Sequence, residues 1–282
     1  MAKESILLTI SDVHIGKKTP HYNLKVCCKV IETVANKLVR ISELLKDGYD
    51  YDEVILCFLG DILDGSEIFP GQATVQEIPN VLAQATVAAH IFLPLIEAAL
   101  EVAPKVRCVG VAGNHGRSGK NAAEAANWDI VTYQQLQALA TARWGDKVEC
   151  DFNVPKFVKQ SLRETDLFWL KLIRIKGHYF LLHHGHRARN VLGIPFYGIK
   201  NRALTWRSAF KERWSVLLHG HFHSFARMDF NDFSVLLSGT AIRHDTWALE
   251  NWGVQGINRW WLFGVGERFP ITWSFGLDLY VP

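Results

Sequence analysis

What most constrains this chain is a repeated join between an apolar run and a cluster of side chains that bind metals well. "SILLTISD" (5–12) leads into Asp12-Val13-His14, and "EVILCFLGD" (53–61) into Gly60-Asp61-Ile62-Leu63-Asp64. "KVRCVGVAGNH" (105–115) closes on Gly113-Asn114-His115. "YFLLHHGH" (179–186) closes on His183-His184-Gly185-His186, and "WSVLLHGHFH" (214–223) on His219-Gly220-His221-Phe222-His223. Short runs this apolar read as strands covered on both faces. In open α/β sheets, sites form beyond the carboxyl ends of the strands. The pattern therefore predicts an α/β fold with one sheet edge carrying Asp, Asn and His. In a strand, the spacing of His219, His221 and His223 puts all three rings on one face. Three imidazoles spoil a core face but suit a metal site.

Between these runs, Val26, Val30, Val34, Leu38, Ile41 and Leu45 recur at helical spacing over 24–46, with Gly48 as a stop. Helices are also expected over about 73–102 and 122–144. Lys176-Gly177-His178 reads as a hairpin turn between 167–175 and 179–186. The runs 214–223 and 233–240 read as two strands joined by a short polar turn. With no repeat or linker, 1–282 reads as a single domain. A basic aromatic segment, 187–213, lies between two histidine-bearing runs, and an aromatic-rich segment fills 241–282. Trp247 and Trp252 there read as packing or dimer contacts, with stacking on bases as the alternative.

A chain of 282 residues that is 49% hydrophobic and 12% aromatic supplies a large core and excludes disorder. Its net charge of +3 selects no partner. The five cysteines form no CxxC pair and none sits at a strand end, so they read as reduced and structural. That pattern also argues against a thiolate zinc site. The stretch 81–103 is interrupted by Gln84, His90, Pro94 and Glu97, which favours a buried helix over a membrane span. No signal peptide is visible, so the expectation is a cytoplasmic protein without a membrane partner. The oligomeric state is open, and a homodimer is compatible with the sequence.

Asp, Asn and His offer the oxygen and nitrogen donors that suit borderline first-row metals. Taken in order, D-x-H, GDxxD, GNH, HGH and GHxH resemble the calcineurin-like metallophosphoesterase superfamily over about residues 10–240. The resemblance implies a four-layer αββα sandwich: two mixed β-sheets flanked by helices, with two divalent metals at the sheet edge. Asp12, His14 and His223 would hold one metal, and Asn114, His184 and His221 the other, with Asp61 bridging them. Manganese is the first expectation; iron, zinc, nickel, cobalt and magnesium also fit such donors. A hydroxide shared by the metals would attack phosphorus in line while His115, the catalytic acid, protonates the departing oxygen. Asp64 would orient the His115 ring. In H-H-G-H the ligand is His184, His186 faces substrate and His183 turns away; His219 is structural. One departure stands out. The family's acid after GNH is replaced by Gly116, followed by Arg117, whose planar fork suits a phosphate.

The segment 187–213 carries Arg187, Arg189, Lys200, Arg202, Arg207, Lys211 and Arg213 against one acid, Glu212, interleaved with Phe196, Tyr197, Trp206 and Phe210. Basic groups and aromatic planes beside a phosphate-cleaving centre suit a nucleic-acid strand. Arg117, His186, Arg187 and Arg189 are the expected substrate contacts. "SDVHIG" is similar to the first motif of the SbcD and Mre11 type of DNA exonuclease, and the "GNHGR…K" run with "NWD" shortly after resembles phage-encoded metallophosphoesterases or exonucleases; residues 224–282 leave no room for the capping domain of the repair branch, so the expectation is a compact member. The leading expectation is a two-metal phosphodiesterase on DNA or RNA. The alternative is a phosphomonoesterase or small-nucleotide phosphodiesterase, and the least favoured reading is a non-catalytic metal-binding scaffold.

Overall fold

The computed structural model describes residues 3–123, 125–152, 168–189, 195–245, 249–250, 253 and 255–281. Trp247, Trp252 and residues 190–194 of the basic segment lie outside them.

The apolar runs form strands, and their alternation assigns each face. Strands β1 (Lys3–Ile10), β2 (Asp50–Phe58), β3 (Lys105–Gly110) and β4 (Val148–Phe152) run parallel; β10 (Arg259–Val265) and β11 (Trp273–Asp278) extend that sheet antiparallel, in the order β11-β10-β1-β2-β3-β4. The second sheet has the order β5-β6-β7-β9-β8, from β5 (Leu170–Ile175), β6 (His178–His183), β7 (Trp214–His219), β8 (Ala226–Asp229) and β9 (Ser234–Leu237). There β6, β7 and β9 are parallel and the two outer strands antiparallel. Both sheets are mixed.

In β1, Ile6, Leu8 and Ile10 pack on helices α1 (Leu24–Leu45), α2 (Val81–Ile91), α3 (Leu93–Val102) and α4 (Trp128–Trp144). Leu7 points the other way, into a core shared with Phe180, Val216 and Leu218 of the second sheet. That sheet's outer face buries Leu181, Trp214 and Leu217 against Ile199, Ala203 and Trp206 of α5 (Phe196–Ala209). The result is the expected four-layer αββα sandwich.

Several expectations need correction. The helix expected over 73–102 is a short 3-10 turn at Gln72–Val75, then α2 capped by the Asn80 side chain, then α3 with Pro94 in its first turn. Proline cannot donate the bond that a continuous helix needs there. By length and composition the stretch Val81–Val102 could cross a membrane; here its two helices pack on α1 and α4. The helix expected from 122 begins at Trp128, where Asn127 caps it. The runs 214–223 and 233–240 are not joined by a simple turn: β8 intervenes and forms the hairpin with β9, so β7 and β9 pair in parallel. Strand β7 ends at His219, so His221 and His223 lie in the following loop rather than on a strand face. All five cysteines are free.

Candidate functional site

The carboxyl ends of β1, β2, β3, β6 and β7 meet along one edge of the sandwich. There the backbone makes an uncommon choice. Asp12, Asp61, His14, His221 and His223 all adopt positive φ, between 50° and 70°. Such conformations cost free energy for residues other than glycine and collect at functional sites. They turn each side chain back toward the strand tips.

Among the described residues, three groups bring potential ligand atoms within 4.8 Å of one another: Asp12, His14 and His223; His14, Asp61 and His115; and Asp61, His184 and His221. In the first, Nε2 of His14 lies 3.3 Å from Nε2 of His223 and 3.9 Å from Oδ1 of Asp12, and His223 Nε2 lies 3.3 Å from that oxygen. In the third, His184 Nε2 is 2.9 Å from Asp61 Oδ2 and 3.1 Å from Asn114 Oδ1. His184 Nδ1 sits 2.7 Å from the Leu59 carbonyl, which fixes the ring with Nε2 inward. His14, His184, Asp12 and Asp61 are buried, so little solvent competes for their lone pairs. Asp61 belongs to two of the groups, beside His14 and His115 in one and beside His184 and His221 in the other.

The electrostatics fit a cation. Burial by itself would raise the Asp12 and Asp61 carboxyls. Bonding and charge from His223 hold Asp12 below its usual value, and those of His184, with the charge of His115, hold Asp61 well below. Burial, helped by the charge of His115, pushes His14 down to about 4, so its ring is neutral, as a ligand must be. Burial and the neighbouring His184 hold His221 well below its usual value. His184, although buried, is raised to about 9 by Asp61, so a metal would displace its proton. Two facing imidazole nitrogens beside a carboxylate, as at His14, His223 and Asp12, make poor mutual partners but a good ligand set. The residues present fit one divalent ion in each of the outer groups, with Asp61 able to reach both.

His115 lies beside this centre. Its backbone N–H donates to Asp61 Oδ1 at 2.7 Å. Its Nδ1 is 3.1 Å from the Asp64 carbonyl and 3.6 Å from the Asp64 carboxylate. The carboxylate of Asp64 approaches His14 more closely, at 3.3 Å from Nδ1. Asp64 thus holds two rings, and it reaches His115 chiefly through its main chain. Burial would lower His115, yet Asp61 and Asp64 raise it above its usual value.

Of the expected substrate residues, Arg117 and His186 line the same cavity as His14, Asp61, Asn114, His221 and His223. Arg187 and Arg189 are exposed and lie outside it; the Arg187 guanidinium sits over Trp169, 4.6 Å from the ring centroid. In the basic segment, Trp206 is buried against the rings of His183 and His219. Arg207 bonds the Trp214 carbonyl and Asp232, 2.6 Å away. Both belong to the packing of α5 rather than to a binding face. Phe196, Tyr197, Lys200, Arg202, Lys211 and Arg213 are exposed. His183 and His219, at the ends of β6 and β7, turn into the layer beneath α5.

Sequence reasoning missed Asp129, in the first turn of α4. Its buried carboxylate accepts four backbone N–H bonds, from Asp61 (3.0 Å), Ile62 (3.2 Å), Leu63 (3.2 Å) and Gly113 (2.9 Å). It clamps the GDxxD loop to the GNH loop. Burial and the Asp61 charge push its carboxyl up to about 6, with the N–H groups of Gly113 and Leu63 pulling the other way. A Cβ at Gly116 would lie 2.3 Å from Asn127 Oδ1 and 3.1 Å from Asp129 Cγ. Asn127 and Asp129 thus fill the space that a side chain at position 116 would need. The "NWD" at 127–129 is the clamp's only trace in the sequence. Also missed was Lys17, paired with Asp245 at 2.5 Å on the rim of the site.

No protein-family model matches this chain, and no curated protein matches its sequence. Solved structures match at low identity. An archaeal phosphodiesterase is 13% identical, with 96% of this chain and 99% of that one covered and a TM-score of 0.43. Vacuolar protein sorting 29 from Cryptosporidium parvum is 11% identical over 94% of this chain and 86% of that one, with a TM-score of 0.40. An uncharacterised Streptococcus pneumoniae protein, titled a predicted phosphoesterase, is 13% identical over 98% and 99%, with a TM-score of 0.35.

Proposed function

We propose that this chain is a metal-dependent phosphodiesterase of the calcineurin-like metallophosphoesterase superfamily, acting on nucleic acid in the manner of the SbcD and Mre11 type of exonuclease. The observation that carries the reading is the convergence of Asp12, His14, Asp61, His184, His221 and His223 in ligand-spaced groups with His115 beside them. When bound, two divalent cations, manganese first among them, would activate water and neutralise charge on a phosphate.

The chain's own residues supply the rest. His115 holds a proton beside the centre, kept there by Asp61 and Asp64, and delivers it to the departing ester oxygen. Asp64 fixes the rings of both His115 and His14. Arg117, whose Nε donates to the Asn114 carbonyl at 3.1 Å, keeps its remaining guanidinium donors for a phosphate oxygen. The exposed Lys200, Arg202, Lys211 and Arg213 favour a polyanion.

The test is incubation of the purified protein with manganese and end-labelled single- and double-stranded DNA, with Asp61→Ala as the control. Cleavage that needs metal and is lost in the variant supports the reading. Charge reversal at Lys200, Arg202 and Lys211 should then weaken DNA cleavage and spare a small aryl phosphodiester. Intact DNA alongside hydrolysis of the aryl ester would replace it with the small-substrate reading. The burial of Trp206 and the pairing of Arg207 with Asp232, which remove two members of the basic segment, are the observations favouring that second reading.

A further inference from the structure

A second cavity, of about 460 Å³, opens beside the metal site between residues 17–20 and the segment 64–75. This lies within the ~300–1,000 Å³ range of small-molecule pockets. It contains none of the expected metal ligands. It shares Lys17, Phe69, His115 and Asp245 with the cavity that does. His115 therefore stands at the junction of the two.

The walls are mainly apolar: Pro20, Phe69, Pro70 and Val75, with exposed Lys18 on the rim. The Phe69 ring lies 4.8 Å from that of His115, centroid to centroid. Its backbone is tied to the catalytic side. Buried Gln72 accepts from the N–H groups of Ile68 (2.8 Å) and Phe69 (3.3 Å), and its amide donates to the Asp64 carbonyl. Gln76 donates to the Asp64 carboxylate at 3.0 Å. The wall that carries Phe69 and the residue that holds His115 are thus one hydrogen-bonded unit.

We propose that this cavity is the leaving-group subsite and that it takes the base of the departing nucleoside. The inference rests on the phosphodiesterase reading above. A phosphate held at the metal edge directs the ester oxygen that His115 protonates toward the junction, and the group beyond that oxygen enters the second cavity. An aromatic face between apolar walls fits a flat base, and the Lys18 ammonium on the rim suits the next phosphate of a strand.

The test compares a dinucleoside phosphate, adenylyl adenosine, with its analogues lacking the base on one side or the other, in manganese. For the wild type, removing the base on the leaving side lowers kcat/KM about tenfold or more, the usual scale of base stacking. Removing the other base has the smaller effect. Phe69→Ala brings the leaving-side analogue and the parent to within about twofold, and Phe69→Trp keeps them apart. Equal discrimination in the wild type and Phe69→Ala overturns the proposal. Calorimetric titration with adenosine gives a readout that needs no turnover: binding by the wild type that Phe69→Ala weakens supports the cavity, and unchanged or absent binding overturns it. A protein that hydrolyses neither these compounds nor bis(4-nitrophenyl) phosphate refutes the phosphodiesterase reading, and the adenosine titration then judges the cavity on its own.

Discussion

Gly113 is where sequence, packing and the metal edge meet most tightly. An alanine Cβ there would lie 2.1 Å from the Asp61 backbone nitrogen and 2.1 Å from Asp61 Oδ1, where ordinary contacts begin near 3.4 Å. The overlap, 3.4 − 2.1 = 1.3 Å, falls partly on main-chain atoms, so no rotamer change relieves it. Either the GNH loop or Asp61 must move by about that much. Overpacking of a tight interior costs about 1–3 kcal/mol. At roughly 2–4 °C per kcal/mol for a chain approaching this size, Gly113→Ala should lower Tm by about 2–12 °C. The functional loss should be larger, because Asp61 belongs to two of the three ligand groups. A displacement near 1 Å in such a site costs on the order of a hundredfold in activity. The assay is calorimetric melting with and without a chelator, together with metal analysis of dialysed protein. Gly119→Ala is the control, since nothing lies within 4 Å of its Cβ. A Gly113→Ala protein that melts with the control and retains full metal content would refute the account of how the loops are locked.

Other predictions follow from the same geometry. Asp129→Asn offers one oxygen where two now receive four N–H groups, so metal affinity should fall roughly tenfold to a hundredfold; an unchanged manganese isotherm contradicts the clamp. His115→Ala should slow a dinucleotide by about 10²–10⁴-fold while costing less than about tenfold on bis(4-nitrophenyl) phosphate, whose leaving group needs no proton; equal losses on both remove the acid role from His115. His219 is held at about 3, chiefly by burial and then by the charge of His184, against an ordinary 6.5. Below pH 6.5 the unfolded chain takes a proton that the fold excludes, so stability falls as pH drops toward 3, by up to about 1.4 kcal/mol per pH unit. His219→Phe should flatten that limb in urea titrations between pH 7 and 5; parallel curves for variant and wild type would show that His219 is not responsible.

The clustering of these Asp and His side chains was legible because each piece is local: an apolar run, then a short motif at its end. The carboxyl-end rule supplied the assembly without knowledge of strand order. What the sequence hid is non-local. β10 pairs with β1 across more than two hundred residues and β11 adds beside β10, and their aromatic-rich run resembles a loose tail until Trp260 and Phe263 are seen to be buried. Asp129 acts through backbone groups of two other loops, so nothing beside it in the chain marks its role. Trp206 looks like a stacking platform among arginines, yet α5 turns it inward against His183 and His219. The break at Phe92 could have been read from Pro94, but the apolar stretch on both sides masked it.

The most direct test of the central claim is anomalous diffraction from crystals of the wild-type protein grown with manganese. The account predicts two peaks: one among Asp12, His14 and His223, the other among Asn114, His184 and His221, with Asp61 between them. Crystals without manganese at this edge, or with it bound elsewhere while these side chains keep only their mutual contacts, would contradict it.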